Sequence, residues 1–180
     1  VMIVAVYGSA APAPGTSLYQ GALALGRLLA QAGHTVMTGG YCGTMEAVSR
    51  GAAEAGGATI GVTCAEIEQY RPGGANPWVQ QEIRTQTLPQ RLEVLTRQPD
   101  AMMALPGGIG TLCEISLALN LMVITPRASK PFILIGTGWE KVFREFFTLN
   151  HEMINDLDQA RLQFAQDPVE AVACLQKSLP

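Results

Sequence analysis

The sequence predicts an α/β protein, a Rossmann-like doubly wound parallel sheet formed as a single domain over residues 1–180. Three observations carry this. Short β-branched or apolar runs alternate with segments whose apolar residues recur at steps of three and four, the pattern of parallel strands joined by crossover helices. The first run, Val1 to Tyr7 (VMIVAVY), is apolar throughout instead of alternating, as a strand covered on both faces should be. Glycine-rich turns follow four of the runs, at the positions where this architecture brings strand ends and helix N-termini together.

The elements follow in order. Val1 to Tyr7 is too short for a secretory leader and reads as a buried strand, followed by a Gly/Ser/Pro loop from Gly8 to Ser17. Leu18, Ala22, Leu25, Leu29 and Ala32 mark one face of a helix that stops at Gly33, and His34 to Thr38 is the next strand. After the turn Gly39-Gly40-Tyr41-Cys42-Gly43, the positions Met45, Val48, Ala52 and Ala55 mark a second helix ended by Gly56-Gly57. Ala58 to Thr63 is a third strand. Cys64 to about Thr87 holds Pro72-Gly73-Gly74 and Asn76-Pro77-Trp78 with little period, so it is expected as one long connection of the functional kind. Beyond it come a short helix, Pro89 to Gln98, a strand, Ala101 to Leu105, a helix, Thr111 to Ile124, and a strand, Pro131 to Ile135. Gly136-Thr137-Gly138 turns into a helix from Trp139 to about Leu149, and the tail adds a strand, Leu162 to Ala165, and a helix, Val169 to Lys177.

Composition narrows the function. Of the 180 residues 48% are hydrophobic and 15% charged, against about 25% charged in an average domain, so a large core is expected. Twelve Lys plus Arg against fifteen Asp plus Glu give a formal charge of -3 with no basic run, which argues against non-specific nucleic-acid or anionic-membrane binding. Cys42, Cys64, Cys113 and Cys174 form no C-x-x-C pair and His34 and His151 lie far apart, so neither a metal site nor a disulfide framework is expected. Free thiols fit a reducing, cytoplasmic setting. No apolar stretch approaches the roughly 18 residues of a membrane span.

The chemistry should sit at the four glycine turns: Gly8-Ser9, Gly39 to Gly43, Pro106 to Thr111, and Gly136 to Gly138, all expected to converge on one edge. In the third, Gly107, Gly108 and Gly110 permit close backbone approach, and Thr111 opens a helix whose free N–H groups attract an anion. The Lys of a Walker A loop is absent, and so is the G-x-G-x-x-G of a dinucleotide site, leaving a monophosphate as the expected ligand. Glu114 stands out as a carboxylate one turn into an almost wholly apolar helix. Thr111-x-x-Glu114 also fits a capping box, which would explain it without catalysis. Arg91 precedes the strand that delivers the glycine turn and is either a solvated arginine or part of the site. In the loop Arg71 to Trp78, Trp78 either offers an aromatic face to a base or anchors the loop.

Together these residues resemble the LOG family of cytokinin-activating phosphoribohydrolases, once mislabelled as lysine decarboxylases. The resemblance runs from about Val4 to Phe147, and its most specific element is P-G-G-x-G-T-x-x-E, complete as Pro106 to Glu114. It implies a Rossmann-like homodimer that cleaves the N-glycosidic bond of AMP or an N6-modified analogue to free base and ribose 5-phosphate, with no cofactor and no metal. It implies Arg91 and Glu114 as the catalytic pair, Gly107, Gly108, Gly110 and Thr111 as the phosphate cradle, and Gly8, Ser9, Gly39, Gly40, Gly43 and Met45 as further substrate contacts. Leu92 stands where the family has Lys, Leu117 where it has a second Glu, Glu46 where it has Gly and Leu88 where it has Met, which marks a divergent branch. Pyridoxal chemistry is excluded because Lys130, Lys141 and Lys177 all lie off the glycine turns.

A carboxylate at Glu114 would stabilise the positive charge that builds on a ribosyl group as its C–N bond breaks. The rival reading is a non-catalytic carrier of a phosphorylated ligand, such as the molybdenum-cofactor carriers. The helix from Thr111 to Ile124 carries Leu112, Ile115, Leu117, Leu119, Leu121 and Met122 around most of its circumference, so a second copy is expected to cover it. The resemblance implies in addition that the Glu114 pocket lies close to that interface, with the partner's Arg91 a candidate to complete each site.

Overall fold

The computed structural model describes residues 1–125 and 130–178, and the apolar runs expected as strands all enter one sheet. The elements are β1 (Ile3–Tyr7), α1 (Ser17–Gln31), β2 (Thr35–Thr38), α2 (Thr44–Glu54), β3 (Thr59–Cys64), α3 (Ala65–Glu68), β4 (Gln81–Thr85) and α4 (Leu88–Arg97). They continue with β5 (Ala101–Ala104), α5 (Ile109–Ile124), β6 (Phe132–Ile135), α6 (Thr137–Leu149), α7 (Asp156–Gln159), β7 (Gln163–Ala165) and α8 (Pro168–Lys177). Among the described residues the sheet has seven strands in the order β4-β3-β2-β1-β5-β6-β7, and its pairings are parallel.

This order places the crevice. The chain winds outward from β1 through β2 and β3 to β4, then returns to lay β5 on the other side of β1. Connections leaving β1 and β5 therefore run to opposite faces, which opens a gap beyond their carboxyl ends. Alternate residues of each strand feed two cores. Val4, Val6, Met103, Ile133 and Ile135 pack with α1, α2 and α8, whereas Ala5, Tyr7, Met102, Ala104, Phe132 and Leu134 pack with residues of α4, α5 and α6. Each fully buried Leu such as Leu25 or Leu29 contributes on the order of 2 kcal/mol of transfer free energy.

Two expectations are corrected. The connection from Cys64 to Thr87 is not structureless, because it contains the short α3 and the edge strand β4. Its residues QEIRT are mostly exposed and carry charge, the composition that keeps a sheet edge from pairing with another chain, so the apolar signal of a strand is missing. The helix expected from Thr111 starts two residues earlier at Ile109, with Gly108 as its N-cap and no side-chain cap.

α1 and α2 pack closely because two glycines face each other's helix. A Cβ at Gly26 would lie 2.0 Å from the Val48 carbonyl oxygen, and one at Gly51 would lie 2.0 Å from that of Leu23. Gly21, on the same helix as Gly26, faces open space. Gly26→Ala should therefore destabilise the fold by about 1–3 kcal/mol through overpacking, while Gly21→Ala should stabilise it by up to about 1 kcal/mol through helix propensity, as read by denaturant titration. Shifts of the same sign would show that the helix contact is looser than this.

Candidate active site

The cleft beyond β1 and β5 has a volume of about 560 Å³. The turn after β1 (Gly8, Ser9), the turn after β2 (Tyr41, Cys42) with Met45, and the start of α5 (Gly108 to Thr111) wall it. Arg91 and Glu114 line it as well, and Ile67 and Arg71 reach it from the connection after β3.

Arg91 is set by its helix. Thr87 caps α4 through a reciprocal capping box with Gln90, and Pro89 sits in the first turn, so the position of Arg91, next after Gln90, is fixed. Only 6% exposed, Arg91 donates from Nε to the Val62 carbonyl at 2.8 Å and from Nη2 to the Gly39 carbonyl at 3.2 Å. Its Nη1 lies 3.5 Å from Glu114 Oε1. Gly39 makes this possible, since a Cβ there would meet Nη2 at 2.0 Å. The solvated reading of Arg91 is thus corrected. The pair also forms within one chain, so a partner's Arg91 is not needed to complete it.

Glu114 is 6% exposed on α5, and burial pushes its carboxyl up to about 7 despite the pull of Arg91. Because α5 begins at Ile109, Glu114 lies in its second turn and has no part in capping, which corrects the capping-box reading. Beneath it, the Tyr7 hydroxyl donates to the Leu95 carbonyl at 3.0 Å, and burial first, then the charge of Glu114, drives its pKa well up. Tyr7 stays a neutral donor.

The α5 N-terminus faces the cleft with unsatisfied groups. Leu112 N–H is the first to find a carbonyl one turn back, that of Gly108, so among the described residues the amides of Ile109, Gly110 and Thr111 have no partner and are free for a ligand. Thr111 Oγ1 is buried without a hydrogen-bond partner among the described residues. An orphaned hydroxyl beside free amides suits an anion. Gly108 and Gly110 have nothing within 4 Å of where a Cβ would stand, which leaves that space open.

Of the residues expected at the site, Gly8, Ser9, Met45, Arg91, Gly108, Gly110, Thr111 and Glu114 line the cleft. Gly39, Gly40, Gly43 and Gly107 do not. Gly39 backs Arg91, Gly43 packs on the Ser9 carbonyl, and Gly107 backs Thr111, where a Cβ would lie 2.1 Å from Oγ1. The fourth glycine turn forms a neighbouring hollow of about 360 Å³ with Pro106, Gly107 and Trp139, so the four turns share an edge but not one pocket. Trp78 is not part of the cleft lining. Its ring lies under the Arg50 guanidinium at 5.4 Å, and its carbonyl accepts from Thr59, so it anchors the loop. Tyr41 is an aromatic that does reach the cleft, from a turn whose sequence signal is its glycines. Glu46 accepts from the Tyr19 hydroxyl at 3.2 Å. Among the described residues, no group of three or more His, Cys, Asp and Glu is arranged to hold a metal, and no helix is long and apolar enough to cross a membrane.

Residues 1–163 match the model of the SLOG cluster4 family. A cytokinin riboside 5'-monophosphate phosphoribohydrolase of Mycobacterium marinum is 36% identical over 113 residues, 62% of this chain and 59% of that protein. The chain thus spans about three-fifths of the length of this curated relative. Among solved structures, the molybdenum cofactor binding protein of Rippkaea orientalis matches with a TM-score of 0.73 and 26% identity, covering 97% of this chain and 95% of that one. The molybdenum cofactor carrier protein of Chlamydomonas reinhardtii matches with a TM-score of 0.72 and 27% identity over 97% and 96%.

The raised carboxyl makes stability depend on pH. The folded chain keeps a proton on Glu114 that the unfolded chain releases near 4.5, so this contribution is full below 4.5 and is lost as pH rises to about 7. Relative to Glu114→Gln, the parent protein should lose up to about 1.4 kcal/mol per pH unit across that window and nothing further above it, as read by denaturant titration. Parallel curves for the two proteins would rule out a raised carboxyl at this position.

Proposed function

The chain belongs to the SLOG cluster4 family, as a divergent member of the LOG group, and on that premise we propose that it hydrolyses the N-glycosidic bond of a nucleoside 5'-monophosphate, AMP or an N6-modified analogue. One observation carries the reading: a buried carboxyl, held by Arg91 and raised to about 7, lies one helical turn from an open helix N-terminus. Thr111 and Glu114 are three residues apart, roughly 4.5 Å along the axis, so a phosphate on the first brings its ribose over the second.

In this mechanism the amides of Ile109, Gly110 and Thr111 hold the 5'-phosphate with the Thr111 hydroxyl. As the bond from C1' to the base nitrogen breaks, its electron pair leaves with the base, which takes up a proton, and positive charge grows on the sugar. Ionised Glu114 stabilises that charge in a site where water screens little. A water oxygen then bonds C1' and gives up a proton, yielding ribose 5-phosphate. Arg91 acts as a positioning residue: each of its three nitrogens is engaged within the chain, and it holds Glu114 in place and in part ionised. No cofactor or metal enters the scheme.

The second reading, a carrier of a phosphorylated ligand such as molybdenum cofactor, is favoured by the near full-length likeness to carrier proteins. Incubation with AMP separates the two. The hydrolase releases adenine and ribose 5-phosphate, with kcat/KM rising with pH through about 7 as Glu114 ionises and adenosine a far poorer substrate. Glu114→Gln should reduce release by at least about 100-fold while ribose 5-phosphate still binds. Tight binding of AMP without release would support the carrier.

We further propose a homodimer through α5. Ile115 and Met122 are buried within the chain, but Leu112, Leu117, Leu119 and Leu121 are only partly covered, and Ile109 and Ile124 are 82% and 64% exposed. A second copy covering that surface would remove it from water. Light scattering at micromolar concentration should give about twice the monomer mass of 19.1 kDa, and a monomer would refute the contact.

A further inference from the structure

Tyr41 stands on the far side of the cleft from the anion site and is held there more firmly than a solvent-facing tyrosine. Its hydroxyl both donates to the Cys64 carbonyl at 3.1 Å and accepts from the Cys64 N–H at 2.7 Å. Two opposed bonds to one residue fix the ring against rotation about its own linkage to the chain. The Arg91 guanidinium carbon lies 5.6 Å from the ring centroid, a cation–π contact that holds the ring from a second direction. The turn that carries it is also clamped, since Asn76 donates its N–H to the Gly40 carbonyl at 2.8 Å and its side-chain amide to the Gly40 and Tyr41 carbonyls, both at 3.0 Å.

Topology gives this ring its place along the ligand. The anion site follows β5, and Tyr41 follows β2, with β1 between them. At about 4.8 Å per strand the two are roughly 10 Å apart across the cleft, with Glu114 lining the same space. A phosphate at one end, an ionisable carboxyl in between and an immobile aromatic at the other match the order phosphate, sugar, planar heterocycle. Ile67 also lines the cleft and adds apolar surface to it.

We infer that Tyr41 is the residue that selects for a planar heterocycle, packing against the base of the nucleotide while α5 holds its phosphate; this rests on the nucleotide reading above. Stacking on a pre-immobilised ring loses little conformational freedom on binding, so it favours flat bases over sugar phosphates that lack one.

Calorimetric titration with two probes tests this without turnover. One is formycin A 5'-monophosphate, a purine-like nucleotide whose base is joined to the sugar by a carbon–carbon bond that does not hydrolyse, and the other is ribose 5-phosphate. The parent protein should bind the nucleotide more tightly. Tyr41→Ala should weaken nucleotide binding by roughly 5- to 150-fold and leave ribose 5-phosphate within about twofold, while Tyr41→Phe, which keeps the ring, should retain most of the preference. Should the Ala variant fail to fold by thermal melting, Tyr41→Leu supplies similar bulk without a π face and should show the same selective loss. Equal weakening of both probes would assign Tyr41 a purely structural role through Arg91 and overturn the inference, as would no weakening of either. A parent protein that binds both probes equally would overturn the inference and leave the phosphate site standing. Binding of neither would overturn the nucleotide reading itself.

Discussion

The buried pair of Arg91 and Glu114 is the constraint around which the cleft is arranged. A guanidinium that is 6% exposed needs acceptors, and the chain supplies them from three separate elements: the Val62 carbonyl in β3, the Gly39 carbonyl after β2, and Glu114 on α5. Each demand propagates outward. Gly39 must lack a side chain for Nη2 to reach its carbonyl, and α4 must start at a fixed residue, which the Thr87–Gln90 capping box and Pro89 ensure. Removing Glu114 leaves the buried Arg91 charge without its counter-ion, at about 3–5 kcal/mol, whereas removing Arg91 leaves a carboxyl that burial keeps protonated. The pair thus ties the β3–β4 half of the sheet to the β5 side across β1.

The two charged functions of the cleft are consequently separated. Arg91 is occupied by main-chain carbonyls and by Glu114, so its cationic charge tunes a carboxyl, while in the proposed function anion binding falls to backbone amides and a hydroxyl at the start of α5. A helix N-terminus suits that task because it carries only partial charge and does not neutralise a nearby carboxylate as a lysine would. Had a lysine sat on the Pro106–Thr111 turn, Glu114 would be held well below neutrality. Its carboxyl instead stands near 7, where a small change in local charge converts one form into the other.

Strongly periodic or wholly apolar segments were legible from sequence, and their boundaries differ from the structure by one or two residues, because burial of both sheet faces demands the pattern. β4 was not legible: Gln81 to Thr85 gains its place from backbone bonds to β3 and carries edge-strand polarity, so no hydrophobic signal marks it. The start of α5 is not legible, because Thr111 and Glu114 have capping-box spacing, whereas the chain enters the helix at Gly108 and both residues line the cleft. Local spacing and tertiary demand disagreed there, as happens where residues are kept for chemistry. Trp78 and Tyr41 show the same limit. Both are aromatics in glycine-rich loops, and only the sheet order, with the β2 turn beside β1 and the loop before β4 further out, decides which one lines the cleft.

The Arg91–Glu114 pair also bears on whether the cleft is one of catalysis or of carriage. For stability alone the pair is a poor choice, since well-packed apolar residues of the same volume do as well or better than a buried ion pair. For carriage it is no better: a phosphorylated ligand is anionic, and a carboxyl that ionises near neutrality beside its sugar weakens ground-state binding by like-charge repulsion. The arrangement becomes favourable only when positive charge appears on the ligand, which is the condition met as a ribosyl C–N bond breaks. A group that is unhelpful to the fold and to the bound ground state, but complementary to a cation formed in transit, is what differential stabilisation of a transition state requires. That argument weighs toward hydrolysis even though near full-length structural neighbours include a molybdenum cofactor binding protein and a carrier protein, because a fold does not by itself decide function and the buried carboxyl favours one reading.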